Sequence, residues 1–215
     1  MNQFAVRSQT PEIMDDLSQP QHEFDQAYRE LATINRRLGG IHAIERFLPP
    51  IHNPLILDVA AGGCDISEAI ARRRPCRIVV LDRNPNGLRL AKRSFPVEAD
   101  ALEMPFPDRS FDVVMASLFF HHLSDDQCIE VLQSMWRIAK RLVLVNDLHR
   151  HPVAYFSIRA LAGSFSRSRM VRSDGPISVL RAFRPKELLS IAARAGIPAR
   201  VHRSFPYRLV MVAEK

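Results

Sequence analysis

Asp58 and Asp82 each close an apolar run, and carboxylates at strand ends can hold the hydroxyl or cationic groups of a ligand. Around the first, Leu57-Asp58-Val59-Ala60-Ala61-Gly62-Gly63-Cys64-Asp65 is a small-residue turn that opens a helix and lets a ligand approach the backbone. Asp82, with Arg83 beside it, falls where a carboxylate can accept hydrogen bonds from both hydroxyls of a ribose. Asp58 and Asp65 flank the turn, so they would repel a pyrophosphate and favour a nucleoside ligand carrying positive charge. The spacing also departs from G-x-G-x-x-G, because Ala60 and Cys64 stand at glycine-type positions. A later run ends in Ser117-Leu118-Phe119-Phe120-His121-His122, where an imidazole could take a proton from a phenol or enol near neutral pH. The blander reading has one histidine capping the turn and the other touching the ligand; the sequence does not separate His121 from His122.

Metal chemistry finds less support. Cys64, Cys76 and Cys128 lack C-x-x-C spacing, which excludes a disulfide framework and speaks against cysteine-bound zinc. Cys128 shares an amphipathic helix with Leu132, Met135 and Trp136 and reads as core. Asn146-Asp147 match half of an oxygen-ligand set, but Ser117 stands where another carboxylate is needed, so no metal is expected. Asn146, Asp147 and His149 read instead as polar groups of an acceptor pocket.

These residues need a scaffold, and the pattern supplies one. Apolar runs at 55–60, 77–82, 111–117 and 142–146, with a short one ending near Asp100, alternate with helical patterns at 66–74, 84–94 and one opened by Ser124 with Gln127 three residues on. That alternation predicts a parallel sheet with crossover helices. A helix from Pro185 to Ala195, closed by Gly196, precedes two runs, 200–205 and 208–213, that predict a terminal hairpin. Upstream, residues 1–20 read as unstructured; Phe24, Tyr28, Leu31, Ile34 and Leu38 recur at helical spacing before Gly39-Gly40, and a shorter helix follows to Pro49. The expected division is an N-terminal helical cap over 1–53 and a main domain over 54–215, with 148–182 inserted over the carboxyl edge of the sheet.

The chain has 215 residues, 47% of them apolar and 25% charged, enough for one buried core. It shows no basic-then-apolar leader and no apolar run long enough to span a bilayer, so a cytoplasmic location is expected. The net charge of +7 comes from 26 Arg and only 4 Lys, scattered along the chain, which makes a nucleic-acid partner unlikely as the first reading. The exception is the tract Arg159, Arg167, Arg169, Arg172, Arg181 and Arg184.

In motif order the chain resembles the class I S-adenosylmethionine-dependent methyltransferases, and within them the small-molecule branch of ubiquinone- and menaquinone-pathway enzymes. Leu57-Asp58-Val59-Ala60-Ala61-Gly62 matches the glycine-rich loop, Val80-Leu81-Asp82 the ribose acid, Ala99-Asp100-Ala101-Leu102 with Met104-Pro105-Phe106 the adenine loop, and Phe111-Asp112-Val113-Val114 the fourth strand. Phe183-Arg184-Pro185-Lys186-Glu187-Leu188 resembles the family's last helix. The resemblance implies a Rossmann-like α/β three-layer sandwich with a seven-stranded, mostly parallel sheet. It implies S-adenosylmethionine as cofactor, with Asp58, Ala60 and Gly62 at its methionine end, Asp82 and Arg83 at the ribose, Asp100 and the Ala101 amide at the adenine, and Ser117 near the transferred methyl. Ala60 and Cys64 depart from the family's glycines.

The acceptor is expected to be a small aromatic or polyketide-like molecule methylated at oxygen, since a histidine base and aromatic lining suit a phenol. Methylation at carbon or nitrogen, an RNA substrate tracked by arginines, and a non-catalytic cofactor-binding module are the alternatives. Exocyclic base amines are disfavoured because Ser117-Leu118-Phe119-Phe120, just after the fourth strand, contains no proline. The insertion, with Ile158, Leu161 and Phe165 on one helical face, reads as a lid that packs this face on the acceptor or the N-terminal helix. A membrane-surface helix and a plain packing helix are its competitors, and oligomeric state is not legible.

Overall fold

The computed structural model describes residues 3–215. Seven strands form one sheet: β1 (Leu55–Val59), β2 (Arg77–Asp82), β3 (Phe95–Glu98), β4 (Phe111–Ser117), β5 (Ala139–Leu148), β6 (Arg200–Ser204) and β7 (Arg208–Glu214), in the order β3-β2-β1-β4-β5-β7-β6. The first five run parallel, and the β6–β7 hairpin adds β7 antiparallel to β5. Strand side chains alternate between two cores. Leu57, Val114, Ala116, Val143 and Val145 face one, where α5 (Asp125–Ile138) and α8 (Pro185–Arg194) pack; Ile56, Val113, Met115, Leu142 and Leu144 face the other, where α2 (Gly40–Glu45) and α3 (Asp65–Arg73) pack. Strand order reverses between β1 and β4, so the crevice for a ligand opens at their carboxyl ends.

Helix starts follow local chemistry. Ser124 accepts from the Gln127 amide while the Gln127 side chain accepts from the Ser124 amide, the capping box expected for α5. α1 (Gln21–Arg37) ends where Gly39 turns left-handed at φ 71°.

Four expectations are corrected. The helix expected over 84–94 is a single turn, α4 (Pro85–Leu88), because Glu68 Oε1 accepts the backbone N–H groups of Lys92, Arg93 and Ser94 and draws the chain out of helical geometry. β5 is ten residues long, its paired edges extending both ways beyond 142–146.

The segment read as unstructured over 1–20 is anchored to the body at several points, with Phe4 and Glu12 buried; residues 1–2 lie outside the described residues. Backbone groups of this arm are satisfied from afar. Arg150 donates to Phe4 O, Arg181 to Thr10 O, and Asp174 accepts from Ile13 N and Met14 N. Such side-chain-to-backbone bonds leave no periodic trace in sequence.

The insertion holds two helices, α6 (Pro152–Phe165) and α7 (Arg169–Arg181), where one was expected. α7 carries Met170 and Val171 onto Phe24, Ala27 and Tyr28 of α1. α6 packs beside it with Ile158 half-buried against Gly175, but Leu161 is 45% and Phe165 80% exposed, so two of the three residues expected to pack inward look outward. Among the described residues no helix is long and apolar enough to cross a membrane.

Candidate active site

The turn after β1 takes three left-handed residues, Ala60 (φ 54°), Gly62 (φ 52°) and Cys64 (φ 59°). Two of them therefore adopt, with side chains, a conformation that glycine takes without strain. Asp82 fastens this turn: its Oδ2 accepts from Gly62 N at 2.7 Å and its Oδ1 from Asn84 N at 2.8 Å. Each oxygen keeps a second lone pair. Gly87 of α4 completes the contact, since a Cβ there would lie 2.0 Å from Gly62 O. Asn84 rather than Asp82 caps α4.

Asp58 is buried beneath the turn. Its Oδ2 accepts from Ser67 Oγ at 2.6 Å, and its Oδ1 has no hydrogen-bond partner among the described residues. Burial, outweighing the Ser67 bond and reinforced by Asp65 and Asp82, pushes its carboxyl up to about 7. Asp65 Oδ2 is likewise buried without a partner, and burial raises that carboxyl too. Two unpaired carboxylate oxygens beside a small-residue turn suit a ligand ammonium and oppose a phosphate.

Tyr28 covers the turn from α1. Its ring lies against Gly63 and its hydroxyl accepts from Asn84 Nδ2 at 3.1 Å. Asp100 caps the 3-10 turn Ala101–Glu103 through Leu102 N and stays exposed, while Ala101 is buried. Arg83 donates to Asp15 O at 3.4 Å, and its charge still acts on Asp82. Ser117 is half-buried, its hydroxyl accepting from Asn146 Nδ2 at 3.4 Å.

His121 and His122 sit on the 3-10 turn after β4 and are now distinct. His121 is buried; its Nδ1 lies 2.7 Å from Asp147 Oδ1, and its backbone N–H donates to Asp147 Oδ2 at 3.0 Å. Burial pushes the Asp147 carboxyl up, but the charge and hydrogen bonds of His121 and the Leu148 amide outweigh it and hold the group below its ordinary value. An ionised carboxylate only accepts, so whenever the imidazole is neutral its hydrogen sits on Nδ1 and Nε2 presents a lone pair. His122 is half-buried and turns its Nδ1 to Asp15 Oδ1 of the arm at 2.7 Å. Arg181 donates to both histidine carbonyls, at 3.0 and 2.8 Å.

The carboxylate of Glu12 reaches the same place, 3.7 Å from His121 Nε2 and 3.9 Å from His122 Nε2. Burial, only partly offset by His122 and the Ser178 hydroxyl, pushes it up to about 7. Tyr28, Glu12, Asp15 and Arg181 were not legible as site residues, because each arrives from the cap or the insertion through contacts distant in sequence. Asp147, expected to line a pocket, is fully buried and orients His121. Half of the arginine tract is engaged within the chain: Arg181 is buried, Arg184 donates to Phe4 O, and Arg169 engages Gln19 and Glu23, while Arg159, Arg167 and Arg172 are exposed.

Residues 56–141 match a family described as "Methyltransferase domain". The chain is similar to a demethylmenaquinone methyltransferase of Chlorobaculum tepidum, 28% identical over 66% of this chain and 65% of that protein. It thus spans just under two thirds of that relative's length. A demethylmenaquinone methyltransferase of Thermus thermophilus is 29% identical over 67% of this chain and 74% of its own. Among solved structures the chain resembles human N-acetylserotonin methyltransferase, there in complex with S-adenosylmethionine, with a TM-score of 0.71 at 16% identity over 99% of this chain and 61% of that one. It also resembles a methyltransferase of Aquifex aeolicus, with a TM-score of 0.65 at 16% identity over 87% and 96% of the two chains. At such identities these structural likenesses establish the fold.

Proposed function

We propose, from the chain's similarity to S-adenosylmethionine-dependent methyltransferases, that it belongs to the class I family and transfers a methyl group to a hydroxyl of a small aromatic or polyketide-like molecule. The observation that carries this reading is the His121–Asp147 pair at the carboxyl ends of β4 and β5, with Nε2 left to accept a proton. S-adenosylmethionine, when bound, supplies a methyl group on a cationic sulfur. The residues of the crevice fit it: the unpaired oxygens of Asp58 and Asp65 suit its ammonium, and the spare lone pairs of Asp82 suit its ribose hydroxyls. Gly62 and Ala60 supply the backbone it approaches, Asp100 and the Ala101 amide stand at the adenine position, and Ser117 stands toward the reacting end.

His121 takes the proton of the acceptor hydroxyl at Nε2, which raises the nucleophilicity of that oxygen. The resulting imidazolium is stabilised through Nδ1 by the ionised Asp147, which also fixes the ring through the His121 amide. Tyr28 and the arm exclude water from above. A secondary reading, that the acceptor is drawn from a membrane surface, is favoured by the outward Val153, Phe156, Leu161 and Phe165 of α6. Incubation with methyl-labelled S-adenosylmethionine and a series of phenols tests the proposal: label transferred by the native chain and lost in His121→Ala supports it, and transfer indifferent to that substitution removes the base.

A further inference from the structure

We propose that Glu12, His121 and His122 form a binding site for one divalent transition-metal ion of the zinc class, joining the N-terminal arm to the turn after β4. The donor atoms, one from each residue, all lie within 4.8 Å of one another. The Glu12 carboxylate stands 3.7 Å from one Nε2 and 3.9 Å from the other, too far for hydrogen bonds. A four-coordinate ion with bonds of about 2.0–2.1 Å holds its ligand atoms roughly 3.4 Å apart, so a small inward movement closes the set.

Two further features belong to metal sites. Each imidazole has its Nδ1 on a carboxylate, Asp147 for His121 and Asp15 for His122, both at 2.7 Å. This outer pairing fixes the tautomer and aims Nε2, the nitrogen that faces Glu12. In addition, Glu12 Oε1 is a buried carboxylate oxygen with no hydrogen-bond partner among the described residues. The nearest opposing charge is Arg181, whose Nε is 3.8 Å from that oxygen, and the carboxylates of Asp15, Asp147 and Asp174 surround the same region. Two imidazoles and one carboxylate leave a fourth position for water, and that donor set suits zinc or cobalt better than magnesium. Ligands split between the arm and the body make the ion a fastener for the arm. Occupancy also withdraws His121 Nε2 from proton transfer, a consequence that rests on the function proposed above, whereas the site itself does not.

The test is cobalt titration of the chelator-treated protein, followed by the visible bands of low-coordinate cobalt and by displacement with zinc. The site predicts saturable uptake of one ion per chain, weakened at least tenfold in both Glu12→Gln and His122→Asn, with circular dichroism establishing that the variants are folded. Absence of saturable uptake by the native chain, or uptake unchanged in the two folded variants, overturns the proposal. Neither result bears on methyl transfer, which is measured separately.

Discussion

His121 and Asp147 are tied twice: Asp147 Oδ1 lies 2.7 Å from the imidazole Nδ1, and Oδ2 accepts the backbone N–H of the same histidine at 3.0 Å. One carboxylate therefore sets both the position of the turn and the tautomer of its ring. Asp147→Asn should lower kcat by about a hundredfold or more while leaving cofactor affinity near native, since the amide no longer stabilises the imidazolium. Steady-state kinetics alongside a binding titration separate these quantities, and an equal loss in both would mean that Asp147 only supports the fold.

Asp58 gives the pH dependence. Its folded-state value of about 7 lies above the ordinary 3.8, so the ligand-free folded protein holds a proton there below neutrality. For stability the sign is that of a raised group: the contribution is full below about pH 4 and is lost as pH rises through about 7. For binding it is opposite, because an ammonium needs the ionised carboxylate. Affinity for S-adenosylmethionine should fall as pH drops below about 7, approaching tenfold per unit. Asp58→Asn should flatten that profile, and a profile unaltered by the substitution would assign the proton elsewhere.

The left-handed Ala60 offers a gain in stability. Its φ of 54° carries a Cβ penalty that glycine escapes, less the extra chain entropy glycine loses on folding. Ala60→Gly should stabilise the protein by about 0.5–1 kcal/mol, read as a higher denaturant midpoint at unchanged slope.

The insertion is expected to be uneven in hydrogen exchange. α7 buries Met170, Val171 and Val179 and should be protected without any ligand, whereas α6, with its exposed apolar face, should exchange faster. Uniformly slow exchange across both helices would leave no part of the insertion free to act as a lid.

The sheet was readable in advance because alternation and short turns are local signals. β2 and β4 fall where the apolar runs place them, and Ser124 with Gln127 marks the start of α5. Asp58, Asp82 and Asp100 could be put forward as candidates from the same local signals, each closing or following a strand. What could not be read lies in the cap. Glu12 and Asp15 sit in a stretch without periodicity, yet contacts more than a hundred residues away bring them to the histidines. The weak helical pattern of α7, interrupted by Gly175-Pro176, concealed the helix that carries Arg181.

Calorimetric titration with S-adenosylmethionine, on the native chain and on Asp82→Ala, tests the cofactor site most directly. The geometry predicts one molecule bound per chain and an affinity loss of about 2–3 kcal/mol in the variant, roughly thirty- to a hundred-and-fifty-fold, as charge-assisted hydrogen bonds to the ribose are removed. No binding by the native chain, or equal affinity in a folded Asp82→Ala, would contradict the assignment of this crevice.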